Sequence, residues 1–144
     1  MTALLLAMTV VLACDLTAKR LLAHVLGSHG VSLGPFGTLR LVTGRLWLPR
    51  QCRWLSLSTL WAVWTAAALI LAVASNWVPA SGIFVGMLLG GALSNAMEFV
   101  ERGYVSDYVC LRFWPSFNLA DVALVVGAVG TLATVVIAML EKAS

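Results

Sequence analysis

Long apolar runs separated by short polar segments dominate the sequence. Four of these runs occupy residues of about 3–26, 55–75, 79–97 and 118–140. An α-helix needs about 20 mainly apolar residues to cross the hydrocarbon core of a bilayer, and each run is about that long. The pattern therefore predicts an all-α polytopic membrane protein with four transmembrane helices, built as a single integral membrane domain over residues 1–144.

The polar connections predict how these helices are arranged. Only residues 76–78 separate the second and third runs, so these two segments are expected to form a tight helical hairpin. Residues of about 27–54 contain glycine, proline and short alternating stretches such as TLRLV at residues 38–42. Such alternation favours a small β-element outside the membrane. Four spans would place both termini on one side of the membrane and the two long loops on the other.

Composition supports a lipid environment and excludes several classes of function. The chain is 61% hydrophobic and 10% charged, whereas soluble domains carry about 25% charged residues. Its basic residues form no long run, so no nucleic-acid partner is predicted. Neither the three cysteines nor the two histidines have the spacing of a metal site. The sequence therefore predicts no metal and no other cofactor.

The first apolar run contains charges that need an explanation. An ionisable residue within a span costs about 2.5–3.5 kcal/mol on insertion scales. Asp15 and Lys19 are four residues apart, a spacing that places them on one face of a helix. Two interpretations remain open: an ion pair that neutralises two interfacial charges, or part of a polar active-site network.

Two further aspartates flank the start of the fourth run. Asn118 is a good N-cap residue, and Asp121 follows in the first turn, where the helix dipole favours a carboxylate. Asp107 lies in the preceding connection, and Asn95 lies near the end of the third run. Each aspartate alone fits a purely structural role. Together they indicate a pair for hydrolysis, in which one carboxylate deprotonates a water and the other, protonated, polarises the scissile carbonyl.

Several motifs, in order along the chain, resemble those of the signal peptidase II, or lipoprotein signal peptidase, family. They are GGALSN at residues 90–95, GYVSDY at 103–108 and PSFNLAD at 115–121, together with Asp15 and Lys19 in the first run. The resemblance implies four transmembrane helices with a small extracytoplasmic β-cradle after helix 1. It also implies that Asp107 and Asp121 are the catalytic dyad of an aspartic endopeptidase.

The same resemblance implies a substrate and a set of supporting residues. The substrate would be a diacylglyceryl-modified prolipoprotein, cut immediately before its modified cysteine. Residues that bind the substrate or support the dyad would be Asn95, Asn118, Asp15, Lys19 and Glu98. The protein would lie among the lipids of the bacterial inner (plasma) membrane, with both termini cytoplasmic, and a monomer is the expected oligomeric state.

Two departures from the family pattern keep other functions open. Asn95 is followed by AMEF rather than by x-x-Asp-Arg, so Glu98 retains a carboxylate but no arginine follows it. The cradle stretch VTGRLW at residues 42–47 lacks the asparagine of the family. One alternative is a divergent homologue with a dedicated membrane substrate. Another is a non-catalytic membrane subunit that keeps the fold.

Basic residues and cysteines give two more expectations. The end of the first run and the following loop carry most of the basic residues, namely Lys19, Arg20, Arg40, Arg45, Arg50 and Arg53. The positive-inside rule would place this loop in the cytoplasm, whereas the resemblance places it outside. On the outer side, Cys52 and Cys110 would share an oxidising compartment, where a disulfide and two separate thiols both fit.

Overall fold

The computed structural model describes residues 1–26, 30–44 and 57–143. These residues form four α-helices: α1 (Thr2–Leu26), α2 (Leu57–Ala74), α3 (Gly82–Arg102) and α4 (Leu119–Ala143). Three short strands, β1 (Val31–Ser32), β2 (Gly37–Gly44) and β3 (Val105–Leu111), form one sheet, and short 3₁₀ helices occur at Gly34–Phe36 and Pro79–Ser81. The described chain is therefore mostly helical, with a small sheet.

Within the described ranges, three helical segments are long and apolar enough to cross a membrane. They are Thr2–Leu26, Pro79–Arg102 and Leu119–Ala143. The helix α2 has 18 residues, and its apolar part Trp61–Ala74 is shorter than a full span. These segments support the predicted polytopic membrane protein, and the fourth span stays a prediction.

Large apolar side chains cover the outward faces of the helices. Leu6 on α1, Ile70 on α2 and Leu132 on α4 have 69%, 68% and 66% of their surface exposed, respectively. Soluble monomers rarely expose contiguous apolar patches larger than a few hundred Å². The apolar outward faces of the helices therefore suit an environment of lipid chains.

The helix α3 lies against both α1 and α4 and approaches them closely through glycines. A Cβ atom added at Gly90 would lie 2.6 Å from the carbonyl oxygen of Met8 on α1. A Cβ atom added at Gly91 would lie 2.6 Å from the carbonyl oxygen of Ala120 on α4. Because a side chain would not fit at either position, the helix backbones meet directly. This contact brings the polar residues of the three helices together at one end.

The helix α3 extends past residue 97, where the apolar run predicts its end, and stops at Arg102. Gly103 terminates it in the left-handed conformation, with a φ of 78°, and donates its N–H to the carbonyl oxygen of Phe99 at 2.8 Å. Glycine adopts this conformation without a steric penalty. The additional turn places Glu98 and Arg102 on one face of the same helix.

The sheet has the order β1–β2–β3, and both strand pairs are antiparallel. The sequence pattern places β-structure only after the first helix and predicts a loop between α3 and α4, whereas the structure has β3 in that connection. Its residue Asp107 pairs with Val42 of β2. The inward-facing residues of β3, Ser106 and Tyr108, are buried but not aliphatic, so the alternation in the sequence was too weak to predict a strand.

Candidate active site

Four elements contribute polar side chains to one end of the helix bundle. α1 contributes two charges, α3 contributes an amide, a hydroxyl and a carboxylate, and β3 and the start of α4 contribute the remaining groups. The cluster consists of Asp15, Lys19, Ser94, Asn95, Glu98, Ser106, Asp107, Tyr108, Asn118 and Asp121. The structure thus brings together every site residue that the sequence analysis named.

Asn118 and Asp121 form a reciprocal cap at the start of α4. The Oδ1 atom of Asn118 accepts the backbone N–H of Asp121 at 2.9 Å. The Oδ2 atom of Asp121 accepts the backbone N–H of Asn118 at 3.1 Å. This arrangement has the geometry of a capping box, with aspartate in place of the usual glutamate or glutamine. It fixes the carboxylate of Asp121 and leaves its Oδ1 atom for the Nδ2 group of Asn95, which donates to it at 3.0 Å.

Asp107 is tied to the same residue, Asn118. The Nδ2 group of Asn118 donates to Asp107 Oδ1 at 3.1 Å, and the hydroxyl of Ser116 donates to Asp107 Oδ2 at 3.4 Å. Burial raises the pKa of Asp107, and the nearby carboxylate of Asp121 raises it further. The two aspartates therefore share one electrostatic environment, joined by a single asparagine.

A buried ion pair lies behind the two aspartates. Asp15 is completely buried, and its Oδ2 atom lies 2.8 Å from the Nζ atom of Lys19 and accepts the hydroxyl of Ser94 at 2.6 Å. Its Oδ1 atom accepts the backbone N–H of Ala120 at 3.0 Å. Lys19 also donates to Asn95 Oδ1 at 2.8 Å. The pair thus fixes both α4, through Ala120, and the amide of Asn95.

Glu98 connects this ion pair to β3. Its Oε2 atom lies 3.0 Å from Lys19 Nζ and accepts the backbone N–H of Ser106, the residue before Asp107, at 3.0 Å. Its Oε1 atom lies 3.4 Å from Arg102 Nη1. No arginine follows Glu98 directly in the sequence. Arg102, one turn later, supplies the guanidinium, and the four-residue spacing was the signal that could have revealed it.

Tyr108 is a site residue that the sequence analysis missed. Its hydroxyl accepts the backbone N–H of Leu119 at 2.9 Å and donates to Asp15 Oδ1 at 3.5 Å. Burial is the main cause that raises the pKa of Tyr108 to about 12, so the hydroxyl keeps its proton and acts as a donor. The available signal was its position directly after Asp107 in the GYVSDY motif. Tyr108 links β3, α1 and α4.

An apolar groove opens beside one of the two aspartates. It has a volume of about 230 Å³ and is lined by Trp114, Phe117, Asp121, Val122, Val125 and Val126. Among the described residues that line the groove, Asp121 is the only ionisable one. An apolar peptide segment that lies in this groove would therefore be next to the carboxylate of Asp121.

Two expectations fall partly or wholly outside the described ranges. Cys52 lies there, together with residues 45–47 of the VTGRLW stretch, so the disulfide stays a prediction. The first half of that stretch, residues 42–44, belongs to β2. Cys110 is described, and its thiol lies 3.7 Å from the carbonyl oxygen of Arg40. Among residues 1–26, 30–44 and 57–143, no group of three His, Cys, Asp or Glu residues could hold a metal ion.

The fold and the buried polar cluster define a polytopic membrane protein with a carboxylate-containing site. Residues 7–137 match the family described as signal peptidase (SPase) II. The chain therefore belongs to the signal peptidase II family.

Curated relatives agree with this assignment. The chain is 36% identical over 75 residues to a lipoprotein signal peptidase of Syntrophomonas wolfei, covering 48% of this chain and 50% of that protein. It is 33% identical over 84 residues to one of Xylella fastidiosa, covering 49% and 50%. These matches span about half of the relatives' length.

Two solved structures share the fold over nearly the whole chain. Both are described as bacterial membrane enzymes determined by the in meso method, at 2.3 Å and 1.9 Å resolution. The first has a TM-score of 0.74 and 20% identity and covers 100% of this chain and 91% of its own. The second has a TM-score of 0.74 and 19% identity and covers 98% and 94%. At this identity the likeness shows the fold.

Proposed function

We propose that this chain is an intramembrane aspartyl endopeptidase that removes the signal peptide from diacylglyceryl-modified prolipoproteins. Asp107 and Asp121 are the catalytic dyad in this proposal. The observation that carries it is that Asn118 donates to both carboxylates, through its side chain to Asp107 and through its backbone to Asp121. Membership of the signal peptidase II family and the names of the curated relatives support the same activity.

Hydrolysis at this site needs two carboxylates in opposite protonation states. The ionised group removes a proton from a water molecule, and the protonated group polarises the carbonyl of the scissile bond. The raised pKa of Asp107 favours one proton shared by the dyad. Asn95 and Asn118 hold the two carboxylates, and the buried charges of Asp15, Lys19 and Glu98 hold the asparagine and β3.

The groove beside Asp121 suits the apolar part of such a substrate. A signal peptide presents mainly apolar side chains, and the valines and aromatics of the groove match them. In this proposal α2 is the fourth span, the sheet lies on the outer side of the bacterial inner membrane, and both termini are cytoplasmic. The chain acts as a monomer, with membrane lipids around its apolar faces.

A dedicated membrane substrate is the second candidate. The missing asparagine in the VTGRLW stretch favours it, because that side chain is implied to bind substrate in the family. A non-catalytic subunit is less well supported, since the connected network of carboxylates, asparagines and lysine would then have no chemical use.

The decisive experiment is cleavage of a diacylglyceryl-modified prolipoprotein by the purified chain in detergent. We expect Asp107→Asn and Asp121→Asn each to lower the rate by about 10²-fold or more, since general acid–base groups contribute about 10²–10⁴-fold. Glu101→Gln, which changes an exposed carboxylate on α3, is the matched control and should keep the wild-type rate.

Each outcome of this assay has a distinct meaning. Thermal unfolding of every variant establishes that it is folded. Cleavage by a folded Asp121→Asn variant at the wild-type rate would exclude the dyad. A folded wild type that leaves several lipoprotein precursors intact but cuts one membrane protein would favour the dedicated substrate.

A further inference from the structure

The start of α4 is held by partners from three parts of the chain. The first N–H groups of a helix have no acceptor within the helix itself and need partners from outside it. Two of these groups at the start of α4 are held locally, by the reciprocal cap of Asn118 and Asp121. The next two contacts come from β3 and α1, which are distant in sequence.

These distant contacts hold the backbone of the first helical turn. The N–H of Leu119 donates to the hydroxyl of Tyr108 on β3 at 2.9 Å. The N–H of Ala120 donates to Asp15 Oδ1 on α1 at 3.0 Å. The Tyr108 hydroxyl also faces Asp15 Oδ1 at 3.5 Å. The local cap therefore fixes the shape of the helix start, and the distant pair fixes its place relative to β3 and α1.

Other contacts between β3 and this part of the chain do not hold the helix backbone. Val109 and Phe117 exchange two backbone hydrogen bonds at 3.0 Å, before the helix begins. Asn118 reaches Asp107 Oδ1 at 3.1 Å through its side-chain amide. The hydroxyl of Tyr108 holds a backbone N–H of the helix itself, so it restrains α4 more directly than either of these contacts does.

The hydrogen bond of Tyr108 joins the two segments that carry the proposed dyad. Tyr108 directly follows Asp107 on β3, and Leu119 precedes Asp121 by two residues on α4. The side chain of Tyr108 is buried, so the packing around its ring restrains the position of the hydroxyl. Burial raises the pKa of Tyr108 to about 12, and the neutral hydroxyl adds no negative charge beside the dyad.

We propose that Tyr108 is a positioning residue of the peptidase, whose hydroxyl sets the separation between the carboxyl groups of Asp107 and Asp121. This role rests on the proposed function. The hydroxyl takes no part in the bond changes of hydrolysis and acts through the placement of α4. Two carboxyl groups that share one water and one scissile bond need a fixed separation, since hydrolysis requires both to reach the reacting atoms at once.

The first test is steady-state cleavage of a diacylglyceryl-modified prolipoprotein by the full chain in detergent, below the Tm of every variant. Tyr108→Phe keeps the ring and removes the hydroxyl. Because a misplacement of about 1 Å can cost about 10²-fold, we expect kcat to fall by about 10-fold or more. KM should stay at the wild-type value, since Tyr108 does not line the apolar groove. The matched control is Tyr104→Phe, which removes the hydroxyl of the other, exposed tyrosine and should change neither constant.

A second variant removes the same hydrogen bond from its donor side. Leu119→Pro has no N–H, and proline is well accepted at the first position of a helix. We expect kcat to fall as it does in Tyr108→Phe, again with KM unchanged. The double variant should be no slower than the slower single variant, because both changes remove one interaction. Leu119→Pro also tests the proposal alone if Tyr108→Phe does not fold.

The separation of the two carboxyl groups can also be measured without catalysis. NMR of the full chain, labelled with ¹³C at the aspartate carboxyls, gives the titration midpoint of Asp107, whose signal is the one missing from Asp107→Asn. If the two groups move apart in Tyr108→Phe, the repulsion from Asp121 weakens. The midpoint of Asp107 should then fall, whereas Tyr104→Phe should leave it unchanged.

The proposal is overturned if Tyr108→Phe keeps the wild-type kcat or the wild-type midpoint of Asp107, even with a lowered Tm, since the hydroxyl would then contribute to stability alone. It is also overturned if the losses of the two single variants multiply in the double variant. A chain that cleaves no precursor but shows the expected shift of the midpoint would contradict the proposed function alone. An active chain without that shift would contradict the positioning role alone.

Discussion

Residues 82–91 of α3 pack on their neighbours without charges, whereas residues 94–102 of the same helix pack through ions and amides. In the first region, Gly90 and Gly91 place the α3 backbone against carbonyl oxygens of α1 and α4. In the second, Asn95 and Glu98 reach the same two helices and β3 through hydrogen bonds and ion pairs. The glycine region limits the distance between helices, and the polar region fixes the direction of individual side chains.

This difference explains why the site lies where it does. Close backbone contact brings the helices near enough for Asp15 to reach the backbone of Ala120 on α4 at 3.0 Å. The polar groups then fix one another, because each donor in a low-dielectric environment needs an acceptor. Substitutions in the two regions should therefore destabilise the protein for different reasons.

The largest effect on stability is expected from Asp15→Asn. One Asp15 oxygen faces Lys19 and Ser94 and the other faces the N–H of Ala120, so the NH₂ group of asparagine would oppose a fixed donor on either side. Removing one partner of a buried ion pair costs about 3–5 kcal/mol. We expect a markedly lower Tm in detergent than for the control Glu101→Gln, which changes an exposed carboxylate. An unchanged Tm would show that the polar region contributes little to stability.

A smaller effect is expected from Gly90→Ala. The added Cβ would lie 2.6 Å from the carbonyl oxygen of Met8, and overpacking of this kind costs about 1–3 kcal/mol. The matched control is Gly82→Ala on the same helix, whose Cβ would meet the nearest atom, Leu4 Cβ, at 4.0 Å. Thermal unfolding should show a lower Tm for Gly90→Ala than for Gly82→Ala. Equal Tm values would mean that α1 and α3 can move apart to accommodate the added methyl group without loss of stability.

Hydropathy and spacing predicted only part of the helical side of the site. The apolar runs located the helices within a few residues, and the four-residue spacing of Asp15 and Lys19 predicted a shared face, where the structure shows the two groups 2.8 Å apart. The N-cap role of Asn118 could be predicted from the sequence because capping is a local interaction. The structure adds the reciprocal contact with Asp121.

The remaining contacts depend on long-range pairing, which no local pattern contains. β3 forms because β2 pairs with it, and its buried residues Ser106 and Tyr108 lack the aliphatic character that identifies a strand. The contact between Tyr108 and Asp15 joins residues 93 positions apart in the chain. Arg102 was missed for a simpler reason: the apolar run ends before the helix does.

The smallest expected effect is a change of stability with pH, which we expect from Asp107 but not from the glycine region of α3. Burial and the carboxylate of Asp121 raise the pKa of Asp107 above its ordinary value of 3.8. Between that value and the raised pKa, the folded chain binds more protons than the unfolded chain, so the stability contributed by Asp107 is present at low pH and is lost as pH rises through this window. Asparagine at position 107 does not titrate, and the difference in Tm between Asp107→Asn and wild type should therefore shift in favour of the variant from about pH 4 to about pH 7. The difference between Gly82→Ala and wild type should stay constant over the same range, and a shift in favour of wild type would show that Asp107 is stabilised as the ionised form.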